Sequence, residues 1–479
     1  MQKKTKIVAT VSDLKCDTSF IKELYDAGVD VIRLNTAHQQ LEDTLTVIEN
    51  IRKVSSDIAI LVDTKGPELR TVKCSSPIAV EPGDVIKVKG NPGAEFSGDT
   101  VFVSYENFTH DVPVNSSILI DDGDVELIVE NKEDGYLKCR VQNSGIIKGK
   151  KSVNVPGVNL ELPALSSRDL EYIDFAIRHD IDFIAHSFVR RKSDVMEIQK
   201  ILDDKKSPIK IIAKIENQEG VEKIDEILDA AFGVMIARGD LAIEIPAEKI
   251  PGIQKKIIAK CISRKKPVII ATQMLHSMIE KPRPTRAEIS DVANAVFERT
   301  DALMLSGETA FGKYPLEAVK TMVKIAKEVE AELDNSNKIT DLADDSDITS
   351  FLAKAAVKAS INLETEGIVI DTLTGRTART ASAFRGKSYI YTECYSSRTK
   401  RELALSFGIV TRYLDVNESG RFSLKKMLNE LVTKNVFTKE SKIVVVAGNF
   451  GPSRGASFME IGSVKELIGD ESQISMDRR

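Results

Sequence analysis

The segment IIAKIENQEG, residues 211–220, carries a run of β-branched apolar residues into one basic and one acidic side chain set two positions apart. In an extended strand residues i and i+2 share a face, so the ammonium of Lys214 and the carboxylate of Glu216 point the same way. Paired charge at the end of an otherwise apolar strand is either a salt bridge or the start of a site. The decision rests on how many such strands the chain holds and on what stands at their ends.

Short apolar runs that end in polar residues recur along the chain: TKIVATV (5–11), DVIRLN (30–35), IAILVDT (58–64), DFIAHSF (182–188), IKIIAKIE (209–216), GVMIARGD (233–240), PVIIATQ (267–273) and DALMLS (301–306). Helical patterns separate most of them. Phe20, Ile21 and Leu24 form a stripe that stops at Gly28; Val221, Ile224, Ile227 and Leu228 form another; and Leu170, Ile173 and Ile177 line a face within residues 166–180. Eight continuous apolar strands alternating with helices predict an α/β fold, a parallel (β/α)8 TIM barrel, with a doubly wound open sheet as the alternative.

One gap breaks the spacing. Between the third and fourth strands the pattern changes to short alternating runs, VIKVKG, VFVSY, SILIDDG, DVELIVEN and YLKCRVQN, broken by Gly, Pro and Asn. This predicts a small all-β barrel domain inserted at one end of the large barrel. After about residue 330 the polar stretch DNSNKITDLADDSD reads as a linker, and GIVIDT, SYIYTEC, GIVTRYL and KIVVVAG then alternate with helices as a separate α/β unit. The expected boundaries are residues 1–66 and 154–332 for the large barrel, 67–153 for the inserted lid and 345–479 for the C-terminal domain.

A chain of 479 residues exceeds what one core supports, in keeping with that division. A net charge of −5 with no block of Lys and Arg gives no reason to expect nucleic acid as a partner. No run of 18 apolar residues occurs and MQKKTKIVAT has no signal-peptide core, so no membrane association and a cytoplasmic location are expected. Five scattered cysteines without a CxxC pair suit a reducing compartment.

In a barrel of this class the site lies at the C-terminal ends of the strands. Those ends carry Arg33, Asn35, Asp63, Ser187, Lys214, Glu216, Arg238, Asp240, Thr272 and Glu308. Packing accounts poorly for charge leaning inward from several strands, because burying unpaired charge is costly. Glu216 and Asp240 end consecutive strands and are placed to converge on one cation, and Mg²⁺ typically takes one or two carboxylates plus substrate oxygens and water. Arg33, Arg70 and Lys214 add positive charge around the same mouth, which suits an anionic, phosphate-bearing substrate. Two motifs are set aside. GETAFGKY (307–314) has the skeleton of a phosphate-binding loop, but Tyr314 replaces the metal-binding hydroxyl and Pro315 disfavours helix there. KPRPTRAE (281–288) is a helix start, with Thr285 and Glu288 as a capping box.

RLNTAH, LVDTKGPELRT, VNVPGVNLELPAL, AKIENQEG, MIARGDLAIEIP, ATQMLHSMIEKPRPTRAEISDVANAV and MLSGETAFGKYPLEAV, in this order, resemble the pyruvate kinase family. The resemblance covers the barrel almost completely and the C-terminal third more loosely. It implies phosphoryl transfer from phosphoenolpyruvate to ADP, giving pyruvate and ATP. Carried over by position, it makes Lys214, Arg33 and Thr272 catalytic, with Lys214 and Arg33 on the phosphoryl group and Thr272 at the proton relay. Gly239, Asp240 and Thr272 hold the substrate carboxylate, and Glu216 and Asp240 bind Mg²⁺ or Mn²⁺. Asn35, His38, Arg70 and Lys151 touch the nucleotide, while Asn35, Asp63 and Thr64 bind K⁺, with Glu68 matching the potassium-dependent form. Thr372, Thr374, Gly375, Arg376 and Thr377 match an effector phosphate loop, although a strand-to-helix turn explains them equally. A homotetramer is implied as well.

The departures from the pattern cluster. Ala37 stands where a potassium-binding serine is usual, ATVSDLKCD replaces a Gly-Pro loop, and Ser152 replaces a glycine beside Lys151. All lie on the nucleotide and monovalent-cation side, which predicts intact chemistry with unusual nucleotide affinity or ion requirement. Two other readings remain: a Mg²⁺-dependent lyase or aldolase on a keto acid, which leaves Lys214 beside Glu216 unexplained, and a non-catalytic sensor, supported only by those departures.

Overall fold

The computed structural model describes residues 3–36, 39–333, 347–413, 424–448 and 455–469. Eight parallel strands close into a barrel: Lys6–Thr10, Val31–Asn35, Ala59–Asp63, Phe183–His186, Lys210–Ile215, Gly233–Ala237, Val268–Ala271 and Ala302–Leu305. The first strand pairs with the eighth from Lys6 opposite Ala302 to Ala9 opposite Leu305, which excludes the open sheet. Val8, Val31, Leu61, Phe183, Ile212, Met235, Ile269 and Met304 fill the interior, while the outward faces pack against the helices. Burial on both faces is why these strands read as unbroken apolar runs.

The helices follow their stripes with one correction. Phe20, Ile21 and Leu24 are buried on Thr18–Ala27, which Gly28 ends at φ 113°, a value that a side chain resists. The second stripe divides at Lys223 into Gln218–Glu222 and Ile224–Ala230, burying Ile224, Ile227 and Leu228. On Ser167–Arg178 the buried arc is Asp169, Tyr172, Ile173, Phe175 and Ala176. Leu170, expected on that face, is 48% exposed because it lies beyond the arc's edge. Tyr314 is non-helical (φ −128°, ψ 52°) and Pro315 opens the helix Pro315–Glu332, while Thr285 and Glu288 form their capping box.

Within the insertion six strands run in the order Val153–Asn154, Ser117–Ile120, Val125–Glu133, Tyr136–Val141, Val85–Gly90 and Thr100–Val103. Residues Leu69–Val72 close the two free edges. Arg70 bridges Ser152 and Thr71 bridges Val103, with the N–H of Thr71 donating to Lys151 O at 2.8 Å and that of Val72 to Phe102 O at 3.0 Å. The result is a small cylinder with its own core of Val88, Phe96, Val101, Phe108, Leu127 and Leu137.

The C-terminal unit carries four parallel strands, Ile409–Tyr413, Tyr389–Cys394, Gly367–Thr372 and Lys442–Ala447. An antiparallel edge strand, Phe458–Ser463, completes the sheet and was not anticipated. Residues 334–346 of the expected linker lie outside the described residues. This unit seats on the N-terminal end of the large barrel, where Leu405 joins the interior core; full burial of such a side chain contributes about 1.5–3 kcal/mol. Arg385 donates from both terminal nitrogens to Asp301 at 2.9 and 2.6 Å, and Arg401 Nε donates to the buried Asp182 at 2.7 Å. Charged clamps thus fix the end of the barrel opposite the strand C-termini.

Candidate active site

At the opposite end the third strand finishes at Asp63, directly across the register from Asn35 on the second and Ala185 on the fourth. Asp63 Oδ2 receives two cations: the guanidinium of Arg33 in a short ion pair, and Lys214 Nζ at 3.3 Å. Lys214 also donates to Ser187 Oγ at 2.8 Å and lies 3.0 Å from Glu216 Oε1. The opening pair on the fifth strand is therefore both a salt bridge and part of a converging cluster. Arg33 is steadied by Thr10 Oγ1 at 3.1 Å, and Glu216 Oε2 accepts the N–H of Phe188 at 2.7 Å.

Burial works against the charge on Lys214, but Asp63 and Glu216 overcome it and hold its pKa above the ordinary lysine value. Glu216 goes the other way. Burial, opposed by Lys214 and reinforced by Asp240, raises its pKa to about 7. Burial likewise raises Asp240. Two neighbouring acids whose charge is disfavoured by burial form a donor set suited to a hard divalent cation, which offsets both charges. Among the described residues no cluster of three metal-ligating His, Cys, Asp or Glu side chains occurs, so two carboxylates leave the remaining positions to water and substrate oxygens. Asp63 Oδ1 is buried with no hydrogen-bond partner among the described residues, an orphaned oxygen that fits a monovalent cation.

The helix Arg238–Glu244 starts at the end of the sixth strand and puts Gly239 and Asp240 in its first turn. The N–H of Gly239 donates to Thr272 Oγ1 at 2.8 Å. Thr272 adopts φ 66°, a conformation strained for a β-branched residue and typical of functional positions. Arg238, by contrast, serves structure: it grips Asp291 at 2.6 and 2.8 Å and donates to Thr272 O at 3.0 Å, fixing that strained residue. Glu308 is also structural, accepting the N–H groups of Ser306 and Leu275 while fully buried.

A cleft of about 600 Å³ separates the inserted cylinder from this mouth, with Arg70, Lys151, Phe188 and Asp240 in its walls. Arg70 is paired with Glu68 at 2.8 and 2.9 Å, and Lys151 with Asp121 at 2.8 Å. Ser152 donates to Asp122 Oδ1 at 2.6 Å, pinning the turn that carries both aspartates. The return connection is tied down by Arg190, which donates to Leu160 O at 2.9 Å and Leu162 O at 2.8 Å. Thr64 Oγ1 accepts the N–H of Ser187 at 3.0 Å. Ala37 and His38 lie outside the described residues.

Sequence reasoning gave Asp63 only a potassium role and missed it as the shared counterion of Arg33 and Lys214. The signal was available, since Arg33 and Asp63 end neighbouring strands. In the C-terminal domain Gly375 has φ 74° and its N–H donates to Thr372 Oγ1 at 3.0 Å. Thr372 and Thr377 are buried, whereas Thr374 and Arg376 are exposed, so half of that loop serves the turn itself.

Comparison with known proteins agrees with this geometry. Family profiles described as the pyruvate kinase barrel domain and the pyruvate kinase alpha/beta domain match residues 2–319 and 350–461. The chain is 46% identical to a pyruvate kinase of Borreliella burgdorferi, covering 98% of this chain and 99% of that protein. It is 42% identical to one from Staphylococcus epidermidis, covering 98% and 81%. The crystal structure of a pyruvate kinase from Cryptosporidium parvum superposes with a TM-score of 0.92 at 33% identity, covering 97% of this chain and 96% of that one. With the barrel, the clustered charges and these relatives in agreement, the chain belongs to the pyruvate kinase family, whose members transfer a phosphoryl group from phosphoenolpyruvate to ADP.

Proposed function

We propose that the Lys214, Glu216, Asp240 and Thr272 cluster carries out that transfer in this protein. The observation that supports it best is the convergence of Lys214 with Glu216 and Asp63 at one barrel mouth, beneath a cleft walled by Arg70 and Lys151. In the reaction the phosphorus–oxygen bond of phosphoenolpyruvate breaks, a new one forms to a terminal phosphate oxygen of ADP, and the enolate takes up a proton to become pyruvate. Lys214 and Arg33 neutralise the moving phosphoryl group; catalysis of this kind is positioning plus charge compensation. The N–H groups of Gly239 and Asp240 with Thr272 orient the substrate carboxylate, the Gly239 N–H passing from Thr272 Oγ1 to the substrate on binding, and the Thr272 hydroxyl relays the proton to the enolate.

Pyruvate kinases generally use Mg²⁺ and K⁺. Glu216 and Asp240 are the ligands we assign to Mg²⁺ or Mn²⁺, and Asn35, Asp63 and Thr64 those for K⁺. A bound divalent ion supplies Lewis-acid polarisation of phosphoryl and enolate oxygens. Asn35, His38, Arg70 and Lys151 form the nucleotide side. Thr374, Gly375 and Arg376, beside Thr372 and Thr377, are assigned to an effector phosphate. Among the described residues no helix is long and apolar enough to cross a membrane, and we assign the protein to the cytoplasm as a homotetramer. The deciding experiment is a lactate-dehydrogenase-coupled assay with phosphoenolpyruvate and ADP. Mg²⁺-dependent pyruvate formation is expected, with Glu216→Gln raising the half-saturating Mg²⁺ about tenfold or more; no pyruvate from the parent protein overturns the assignment.

A further inference from the structure

One turn of the helix Ser167–Arg178 holds both halves of the nucleotide side. Asp169 Oδ1 accepts the N–H of Lys65 at 2.7 Å and of Gly66 at 3.4 Å, where the chain leaves the third strand for the inserted domain and Arg70. Its other oxygen accepts from Ser166 and completes the helix cap. The adjacent residue, Arg168, reaches the loop after the second strand instead. One terminal nitrogen donates to Thr36 O at 3.0 Å and to Gln39 O at 2.5 Å. Tyr172, with its ring 5.6 Å below the guanidinium, donates to the same Gln39 carbonyl at 2.6 Å. Thr36 in turn donates its hydroxyl to Asp63 O at 2.6 Å.

We infer that Arg168 is a positioning residue for the nucleotide: with Asp169 it sets Asn35, borne by the barrel, at a fixed spacing from Arg70, borne by the insert. The two carbonyls on one guanidinium nitrogen belong to the two flanks of a single loop, so the contact fixes a distance and not merely a surface. Arg168 Nε is buried with no partner among the described residues, so the side chain makes its hydrogen bonds at its far end, to Thr36 and Gln39. None of these contacts touches Lys214, Glu216, Asp240 or Thr272, and the one that reaches Asp63 ends on its main-chain carbonyl, leaving the carboxylate that pairs with Arg33 and Lys214 untouched. A lysine at this position has a shorter reach and no planar guanidinium to lie over the Tyr172 ring, so its ammonium is not held against both carbonyls.

The inference rests on the proposed function and is tested by steady-state kinetics and equilibrium ADP binding on the full chain. For Arg168→Ala the ADP KM and Kd rise about tenfold, a loss of ~1.4 kcal/mol, while the phosphoenolpyruvate KM stays within about twofold. Arg168→Lys keeps the parent's Tm but not its ADP affinity. Equal shifts for both substrates, no shift for either, or full ADP affinity in Arg168→Lys overturn it. Should Arg168→Ala not fold, Tyr172→Phe removes the second donor to Gln39 with the ring kept; an ADP KM raised about threefold supports the inference and an unchanged one overturns it. An inactive parent removes the proposed function together with this inference, whereas an active parent with insensitive variants removes this inference alone.

Discussion

Lys214, near the end of the fifth barrel strand, and Glu216, just past it, meet with Nζ and Oε1 3.0 Å apart, yet burial drives the acid toward neutrality and the ion cluster drives the lysine toward charge. The cation is permanent and the acid is poised, the asymmetry expected where a second cation completes the site.

Replacing Lys214 tests that asymmetry. In Lys214→Met, kcat falls by about 10³-fold or more, the scale of losing a preorganised charge at the reacting group. Asp63 keeps Arg33 as partner, and loss of the ammonium removes what opposed the upward push of burial on Glu216, so that acid takes up a proton more readily and is not left as a bare buried charge. Circular dichroism is therefore expected to show a folded protein. Retained turnover contradicts the assigned role.

Potassium is the second test. The alanine at position 37 cannot coordinate an ion, so forward activity is expected to need unusually high K⁺ and Ala37→Ser to lower the half-activating concentration about tenfold. Titration of the coupled assay with KCl at constant ionic strength measures both. Parent activation indistinguishable from that of the serine variant counts against the idea.

Asp371 links stability to pH. Burial raises its carboxyl from 3.8 to about 6, with only partial relief from Tyr395, whose hydroxyl donates to it at 3.1 Å. A raised carboxyl favours the fold below its unfolded pKa, and this contribution is lost as pH rises through about 6. Asp371→Asn thus stabilises by about 2–3 kcal/mol near pH 8 and changes little near pH 4. Thermal unfolding at the two pH values reads the difference.

The clamp between barrel and C-terminal domain makes a fourth test. Arg385 and Asp301 are almost fully buried, and Asp301 also accepts the N–H groups of Val268 and Phe407. Arg385→Ala leaves that carboxylate unpaired at a cost of about 3–5 kcal/mol. Arg385→Lys is expected to recover only part of the loss, because one ammonium replaces a two-pronged contact. A Tm unchanged in both variants would falsify the clamp.

How far the sequence carried can be judged from particular residues. The eight barrel strands were legible because two-sided burial leaves no polar gap in VIIA or GVMIA. Phe458–Ser463 was not, since an edge strand with two of its six residues exposed and none buried shows no alternation. Leu69–Val72 escaped notice because it seals the small cylinder through isolated bridges, which impose no periodic pattern. Lys214, Glu216, Asp240 and Thr272 stood out as polar residues at strand ends. Arg168 did not, because its role depends on backbone carbonyls far away in sequence.

The segment that seals the inserted cylinder also ties it to the barrel, and this limits how the cleft can open. Leu69–Val72 cannot bend without unzipping its bonds to Lys151 and Phe102, while Asp169 holds Lys65 and Gly66, and Arg190 holds Leu160 and Leu162. Rotation is left to Pro67 and Glu68 on one cord and to residues 156–159, with Gly157 at φ 74°, on the other. Any swing of the cylinder is thereby confined to two short pivots, and Arg70 and Lys151, seated on its sealed edge, would travel together.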